Sequence, residues 1–287
     1  MATQFGQETQ TEAAQRMYNA RAPNYDASWH GAYSRRFIAH APLRPNDRVL
    51  DLCCGTGGEA FLAAELVGEQ GRVVAVDVTE GMLARLRERQ AREPVLGRRI
   101  TVVQHDVTDL SRAVLLLEDG GGLFDAVLCS TAFVLLGEPG RVVAHWKEFL
   151  RPGGVMVIDV THERNLRAGL VLEEVAREMG VERFPSRRGW IKSEASFREV
   201  LEAQGLRVER VSLVENISGK GTQYHGVEEA DRIFEQTVNS SLTENVASDD
   251  FKAKARPLFR REWERIAVDG KVEDVDSLYV YVARKPE

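Results

Sequence analysis

Val49-Leu50-Asp51-Leu52-Cys53-Cys54-Gly55-Thr56-Gly57-Gly58 is an apolar run that reaches a carboxylate and then turns through glycines, and Val73-Val74-Ala75-Val76-Asp77 follows one strand later. A strand that delivers the chain into a Gly-rich turn describes a β-to-α crossing able to cradle a ligand. A second strand ending in an acid supplies a partner for a ribose. Together they point to a nucleoside cofactor.

The kind of nucleoside turns on one charge. A dinucleotide site brings its loop against a pyrophosphate, and Gly55, Gly57 and Ala60 satisfy the required spacing. Asp51, however, stands at the mouth of that loop. A carboxylate there repels a pyrophosphate and attracts a cation such as the α-ammonium of a methionine moiety, which favours S-adenosylmethionine (SAM). Cys53 occupies the place of a first glycine, and a cysteine suits that turn only if its φ stays negative.

Outward from this segment the chain alternates strand-like and helical runs. Strands are expected over 47–52, 72–77, 99–105, 124–129 and 154–160, and helices over 57–67, 79–92, 109–118 and 139–150. Strands separated by helices pair in parallel through right-handed crossovers. The expected fold class is therefore α/β, a doubly wound, mostly parallel sheet with helices on both faces. Such sheets bind ligands at the carboxyl ends of their strands, where Asp51, Asp77, Asp106 and Ser130 all stand.

Residues 1–45 read as an N-terminal helical lid. Thr11 is the expected cap of a helix lined by Ala13, Ala14, Met17 and Tyr18, and a second helix is expected from Gly31 to His40. Residues 46–287 read as the core, with cap insertions at about 162–191 and 215–276. The last third should contain a helix over Ser193–Gln204, a strand over Arg207–Val214, helical runs through Glu228–Thr237 and Lys252–Ile266, and a closing strand, Leu278–Ala283.

Composition narrows the partners. Lys plus Arg number 38 against 44 Asp plus Glu, a formal charge of −6, which gives no basic footprint for a nucleic acid. No run approaches the ~20 consecutive apolar residues of a membrane span. Met1 to Glu8 lacks the basic and apolar segments of a signal peptide. Cys53, Cys54 and Cys129 form neither a disulfide framework nor a metal-spaced cluster. The expectation is a reduced, cytoplasmic protein with a small-molecule partner, no metal, no nucleic acid and no membrane.

Five segments in order resemble the class I SAM-dependent methyltransferases. They are Leu50 to Gly57, Val76-Asp77-Val78, Gln104-His105-Asp106-Val107, Phe124 to Ser130, and Leu150-Arg151-Pro152-Gly153-Gly154. The resemblance implies a Rossmann-like seven-stranded sheet ending in an antiparallel hairpin. It also implies that Asp51, Cys53, Gly55 and Gly57 hold the methionine end and Asp77 the ribose hydroxyls. Val78 and Met82 would pack on the adenine, and Asp106 and Val107 would read its edge. Tyr18 and Tyr25 would close the cleft over the methionine carboxylate, and Ser130 would stand where the methyl group emerges, with Thr131 and Phe133 beside it.

Methyl transfer from a sulfonium asks chiefly for alignment and exclusion of water, so no catalytic triad is required. His162, after the fifth strand, is a candidate base for a thiol, phenol or hydroxyl; packing is the other reading of a lone imidazole. His225 is a weaker candidate, and Trp190, Phe234 and Trp263 fit an apolar acceptor pocket or the core of the cap.

The run as a whole resembles the ubiquinone-biosynthesis methyltransferases. Tyr18 to Asp26, Thr161 to Asn165 and Val275 to Arg284 are more similar to fungal enzymes that S-methylate dithiols such as reduced gliotoxin. These resemblances imply methyl transfer to a small secondary-metabolite acceptor, with sulfur ahead of oxygen or nitrogen. Two alternatives stay open: a protein or RNA methyltransferase, and a SAM-fold partner subunit or rearrangement catalyst that transfers no methyl group.

Overall fold

The structure, a computed structural model, describes residues 8–113, 122–181, 188–243 and 247–287. Ahead of the sheet lie α1 (Gln10–Arg21), a 3-10 turn (Ala22–Ala27) and α2 (His30–Ile38). The alternating region follows as β1 (Arg48–Leu52), α3 (Gly58–Val67), β2 (Arg72–Asp77), α4 (Glu80–Arg92), the short α5 (Pro94–Gly97), β3 (Ile100–Gln104), β4 (Phe124–Cys129), α6 (Pro139–Glu148) and β5 (Leu150–Thr161). Then come α7 (Arg167–Glu178), α8 (Glu194–Ala203), β6 (Arg207–Glu215), β7 (Gln223–Gly226), α9 (Ala230–Val238), α10 (Asp249–Arg265), β8 (Lys271–Asp274) and β9 (Ser277–Arg284).

Seven strands form one sheet in the order β3-β2-β1-β4-β5-β9-β6, and β7 pairs with β8 apart from it. β1 through β5 pair in parallel, whereas β9 inserts between β5 and β6, antiparallel to both. The central strands are buried on both faces, which is why β1 and β2 read as nearly unbroken Val, Leu and Ala. The order reverses between β1 and β4, and the crevice at their carboxyl ends is where such sheets take ligands.

Each face of the sheet has its own core. One gathers Trp146, Phe133, Phe197 and Tyr281; the other gathers Tyr33, Phe37, Phe61 and Leu86. Trp146 Nε1–H donates to the Val107 carbonyl at 2.8 Å, which meets the polar need of a fully buried indole. A third core, built from α7, α9 and α10 around Phe234, Phe251, Phe259 and Trp263, is separate from both. Among the described residues no helix is long and apolar enough to cross a membrane.

Three local expectations need correction. The cap of α1 is Thr9, whose side chain and that of Glu12 bond each other's backbone amides in a capping box. Thr11 is thereby drawn inside the helix. Of the helix expected over 109–118, Ser111 to Ala113 form a turn and the residues from 114 onward lie outside the described residues. β5 begins at Leu150, because Leu150 pairs with Phe124 before the Pro152-Gly153 step and a register shift then restores the ladder at Ala126.

The third core is tightly stacked, with the Phe259 ring 5.4 Å from Phe234 and 5.6 Å from Trp263. Phe259→Ala should therefore lower the unfolding free energy by about 3–5 kcal/mol in urea titration. A loss below about 1 kcal/mol would show that this cluster collapses around the missing ring.

Candidate functional site

The turn from β1 into α3 is built on left-handed backbone. Gly55 stands at φ 52 and Gly57 at φ 85, and a Cβ on Gly57 would fall 2.9 Å from Leu86 Cγ. Glycine is therefore required at Gly57 twice over, by conformation and by space. Cys53 stands at φ 56, so the condition expected of a cysteine at this place is not met and the loop carries a strained residue. Asp77 ties the loop down: its Oδ2 accepts Gly55 N–H at 2.9 Å and its Oδ1 accepts Thr79 N–H at 2.8 Å.

The N-terminal segment runs across the carboxyl ends of the strands and is fastened at each. The Thr11 hydroxyl donates to Asp106 Oδ2 at 2.6 Å beyond β3, and Gln15 Nε2 donates to the Val78 carbonyl at 3.2 Å beyond β2. Asn19 Oδ1 accepts Gly81 N–H at 2.8 Å. Thr56, in the β1 loop, donates to Asp26 at 2.5 Å, and the Tyr33 hydroxyl donates to Asp159 near the end of β5 at 2.8 Å. A cleft remains between this segment, the β1–α3 loop and the end of β4; its walls include Tyr25, His30, Tyr33, Glu59, Ser130 and Thr131.

The electrostatics of this region are one-sided. Burial pushes the carboxyls of Asp51, Glu59 and Asp77 above their ordinary values and that of Asp159 up to about 7. Among the described residues none of the four makes an ion pair, and Asp51 Oδ2 is buried without a hydrogen-bond partner. A buried acid in that condition gains from a cation, which restores its charged form. The carboxylate acceptors suit the ammonium and sulfonium of SAM, and Gly55, with nothing nearer than Tyr25 at 4.0 Å from its Cβ position, leaves that part of the loop backbone open to close approach.

Several expected residues come together here. Tyr18 and Tyr25 meet edge-on at 6.3 Å, Cys53, Gly55 and Ser130 line the cleft with Tyr25, and Met82 is buried behind β2. Asp106 is already engaged. Burial works against its charge, but bonds from Thr11 and Thr108 outweigh that and hold its carboxyl below the ordinary value. Val107 is buried, with its carbonyl given to Trp146.

His162 is not among the cleft-lining residues. It stacks on Tyr279 at 5.2 Å, and its Nδ1 accepts Arg164 N–H at 3.0 Å, which places its proton on Nε2. Burial, opposed by Glu163, keeps it neutral by lowering its pKa. An imidazole with its lone pair already taken is poorly disposed to act as a base. Trp190 packs against the sheet core, Phe234 and Trp263 belong to the third core, and His225 lies 6.3 Å from Trp263, so none of these four lines the cleft. Burial pushes the Cys54 and Cys129 thiols well up, against any nucleophilic role.

Four residues in this region were not anticipated from sequence: His30, Tyr33, Glu59 and Asp159. His30 is sandwiched between Tyr25 at 4.3 Å and Trp29 at 3.9 Å, and burial pushes its pKa down to about 4. Asp159 carries the same signal as Asp51 and Asp77, an acid at the end of an apolar strand run, Val155 to Ile158. Tyr33 and Glu59 carry no signal beyond their place on helices.

Relief of the strained turn gives a direct check. Cys53→Gly should raise stability by about 0.5–1 kcal/mol, the left-handed penalty removed less the extra entropy of the unfolded chain. A fall in melting temperature would show that the Cys53 side chain contributes packing that outweighs its backbone cost.

Comparison with known proteins bears on the fold. Residues 49–154 match the family model described as a methyltransferase domain. The demethylmenaquinone methyltransferase of Symbiobacterium thermophilum is 30% identical over 158 residues, 51% of this chain and 58% of that enzyme, so the chain spans less than two thirds of that relative. Among solved structures, the [4+2]-cyclase SpnF superposes with a TM-score of 0.59 at 17% identity, covering 97% of both chains. Haemonchus contortus phosphoethanolamine N-methyltransferase 2, solved with S-adenosylhomocysteine, gives 0.57 at 16% identity over 98% of this chain and 61% of that one. The chain thus has the class I SAM-dependent methyltransferase fold, and its residues 49–154 match the methyltransferase-domain model.

Proposed function

We propose that this protein transfers a methyl group from SAM to a small, partly apolar acceptor. The observation that carries this reading is the group of buried strand-end acids that, among the described residues, make no ion pair, with Asp51 Oδ2 unpartnered in the strand that leads into the glycine turn. Bound SAM would supply an electrophilic methyl group. Asp51 would face its ammonium, Gly55 and Gly57 would cradle the methionine end, and Asp77 would accept the ribose hydroxyls. Val78 and Met82 would flank the adenine, whose edge Asp106 and the Val107 amide would read. Tyr18 and Tyr25 would shut the cleft against water.

In this reading residues 1–45 act as a lid, held by the bonds that cross the strand ends. The insertions at 162–191 and 215–276 cap the acceptor side, and the bond from Arg16 to the Ser241 carbonyl at 2.9 Å, which joins leader to cap, supports that arrangement. The acceptor is a small molecule, methylated on sulfur ahead of oxygen or nitrogen, because a thiol needs little more than deprotonation near neutral pH. A quinol-type acceptor, as the name of the Symbiobacterium relative suggests for that enzyme, is the nearest competitor. The acidic balance favours action away from nucleic acid, in the cytoplasm.

Calorimetric titration with SAM should give saturable one-to-one binding, and Asp77→Asn should weaken it by about 100-fold or more, the loss expected when charge-assisted bonds to two hydroxyls are removed. Labelled SAM offered with thiols, phenols and hydroquinones should label the thiols first. Labelling only of a macromolecule, or binding of SAM with no transfer to any acceptor, would overturn the reading; the second result would favour a rearrangement catalyst on the same fold.

A further inference from the structure

Two hydroxyls in the wall of the cleft converge on one buried oxygen. Tyr33, on α2, donates to Asp159 Oδ2 at 2.8 Å, and Ser130, just beyond β4, reaches the same oxygen at 3.3 Å. Tyr33 and Ser130 line the cleft, whereas Asp159 lies behind them, 1% exposed. Its other oxygen accepts Thr131 N–H at 2.7 Å, and Thr131 stands at φ 54, a rare conformation for a β-branched residue. The strand end at which an acceptor would meet the donor is thus held in shape by Asp159.

Tyr33 from α2, Glu59 from α3 and Cys129 from β4 are the ionisable groups that face Asp159 among the described residues, and none of the three is a cation. A carboxyl so placed exchanges a proton only through the hydroxyls in front of it. Resting on the methyl-transfer reading above, we propose that Asp159 is the terminal proton acceptor for a protic acceptor, a thiol or phenol, reached through the Tyr33 and Ser130 hydroxyls. The acceptor's proton passes to a hydroxyl oxygen as that hydroxyl's own proton passes to Asp159 Oδ2. The acceptor's freed electron pair forms the bond to the methyl carbon, and the carbon–sulfur bond breaks with its pair left on sulfur. A sulfonium and a carboxylate are thereby replaced by a thioether and a carboxylic acid, so charge is conserved. Asp159 titrates near 7, close to the working pH at which a proton relay is most effective.

The assignment is tested first without donor or acceptor. Infrared difference spectra should show a protonated carboxyl that titrates near pH 7 and is absent from Asp159→Asn. Because the folded protein holds this proton more tightly than the unfolded chain, its contribution to stability is present at low pH and is lost as pH rises through about 7. The melting temperature of the native protein should follow that loss, and Asp159→Asn should flatten the slope.

Turnover is the second readout. With an alkyl thiol, kcat/KM should rise with pH through about 7, and Asp159→Asn should lower it by about 100-fold or more at pH 7 and move the rise up to the ionisation of the thiol itself. Tyr33→Phe and Ser130→Ala should each cost less than Asp159→Asn, with the same change in pH profile. An aryl thiol already ionised at the assay pH should change little in all three variants. Equal losses with both thiols, or an infrared titration unchanged in Asp159→Asn, would overturn the relay. Failure of the native protein to methylate any acceptor would instead sink the methyl-transfer reading and the relay with it, while the infrared titration would still report the proton on Asp159.

Discussion

Three carboxylates, Asp51, Asp77 and Asp159, are held out of water at one end of the sheet with Glu59 half-buried beside them, and among the described residues no basic side chain forms an ion pair with any of the four. Burying a charge is costly unless it is paired or neutralised, and the surrounding structure divides that burden. Asp77 is met by backbone amides of the turn, Asp159 by two hydroxyls and an amide, and Asp51 is left with an oxygen unanswered. The contrast lies on the helical cap. There Arg260 and Arg256 meet Asp231 and Glu235 across α9 and α10 in partly exposed pairs of the kind worth about 0–1 kcal/mol. Basic side chains thus pair with acids on these exposed helices, while the acids at the cleft are left to backbone amides, hydroxyls and protonation.

How much of this was legible follows from which signals are local. A parallel sheet buries its strands on both faces, so β1, β2 and β4 announce themselves as apolar runs, and the acids at their ends stand out against that background. A mostly parallel sheet and the candidacy of Asp51, Gly55, Gly57 and Asp77 are therefore legible in the sequence, whereas the strand order is not, because it is set by pairings between distant strands. Asp159 carried the same mark and was passed over for His162, three residues on, because an imidazole draws more attention than an acid inside a strand. Its side-chain partners come from Tyr33 and Ser130, 126 and 29 residues away, and no local pattern encodes such a pairing. Thr9 and Thr11 differ only in which one finds Glu12 at the right offset, a distinction smaller than the accuracy of any boundary read from sequence.

The same sheet supports a cyclase and an N-methyltransferase among its structural neighbours, so the architecture alone leaves the reaction open. What distinguishes one chemistry from another on this scaffold is the set of groups at the ends of β4 and β5 and whatever the helical cap presents to them. In this chain that set is hydroxylic and acidic: Ser130, Thr131, Tyr33 and Asp159. Such a wall is better suited to guiding a proton than to gripping an anion.

The leader has one more consequence, and it concerns time. Its bonds reach far along the chain: Thr11 to Asp106 spans 95 residues, Tyr33 to Asp159 spans 126, and Gln10 to Gly137 spans 127. These partners of the N-terminal segment are not in place until most of the sheet has been made, and loop-closure entropy places its docking late in folding. The segment is held by more than these bonds, because Tyr33, Phe37 and Ile38 of α2 are buried in the core on one face of the sheet. Docking of this one segment thus completes a core and a cleft wall together, since it gives Tyr33 and Phe37 to the first and Tyr25, His30 and Tyr33 to the second.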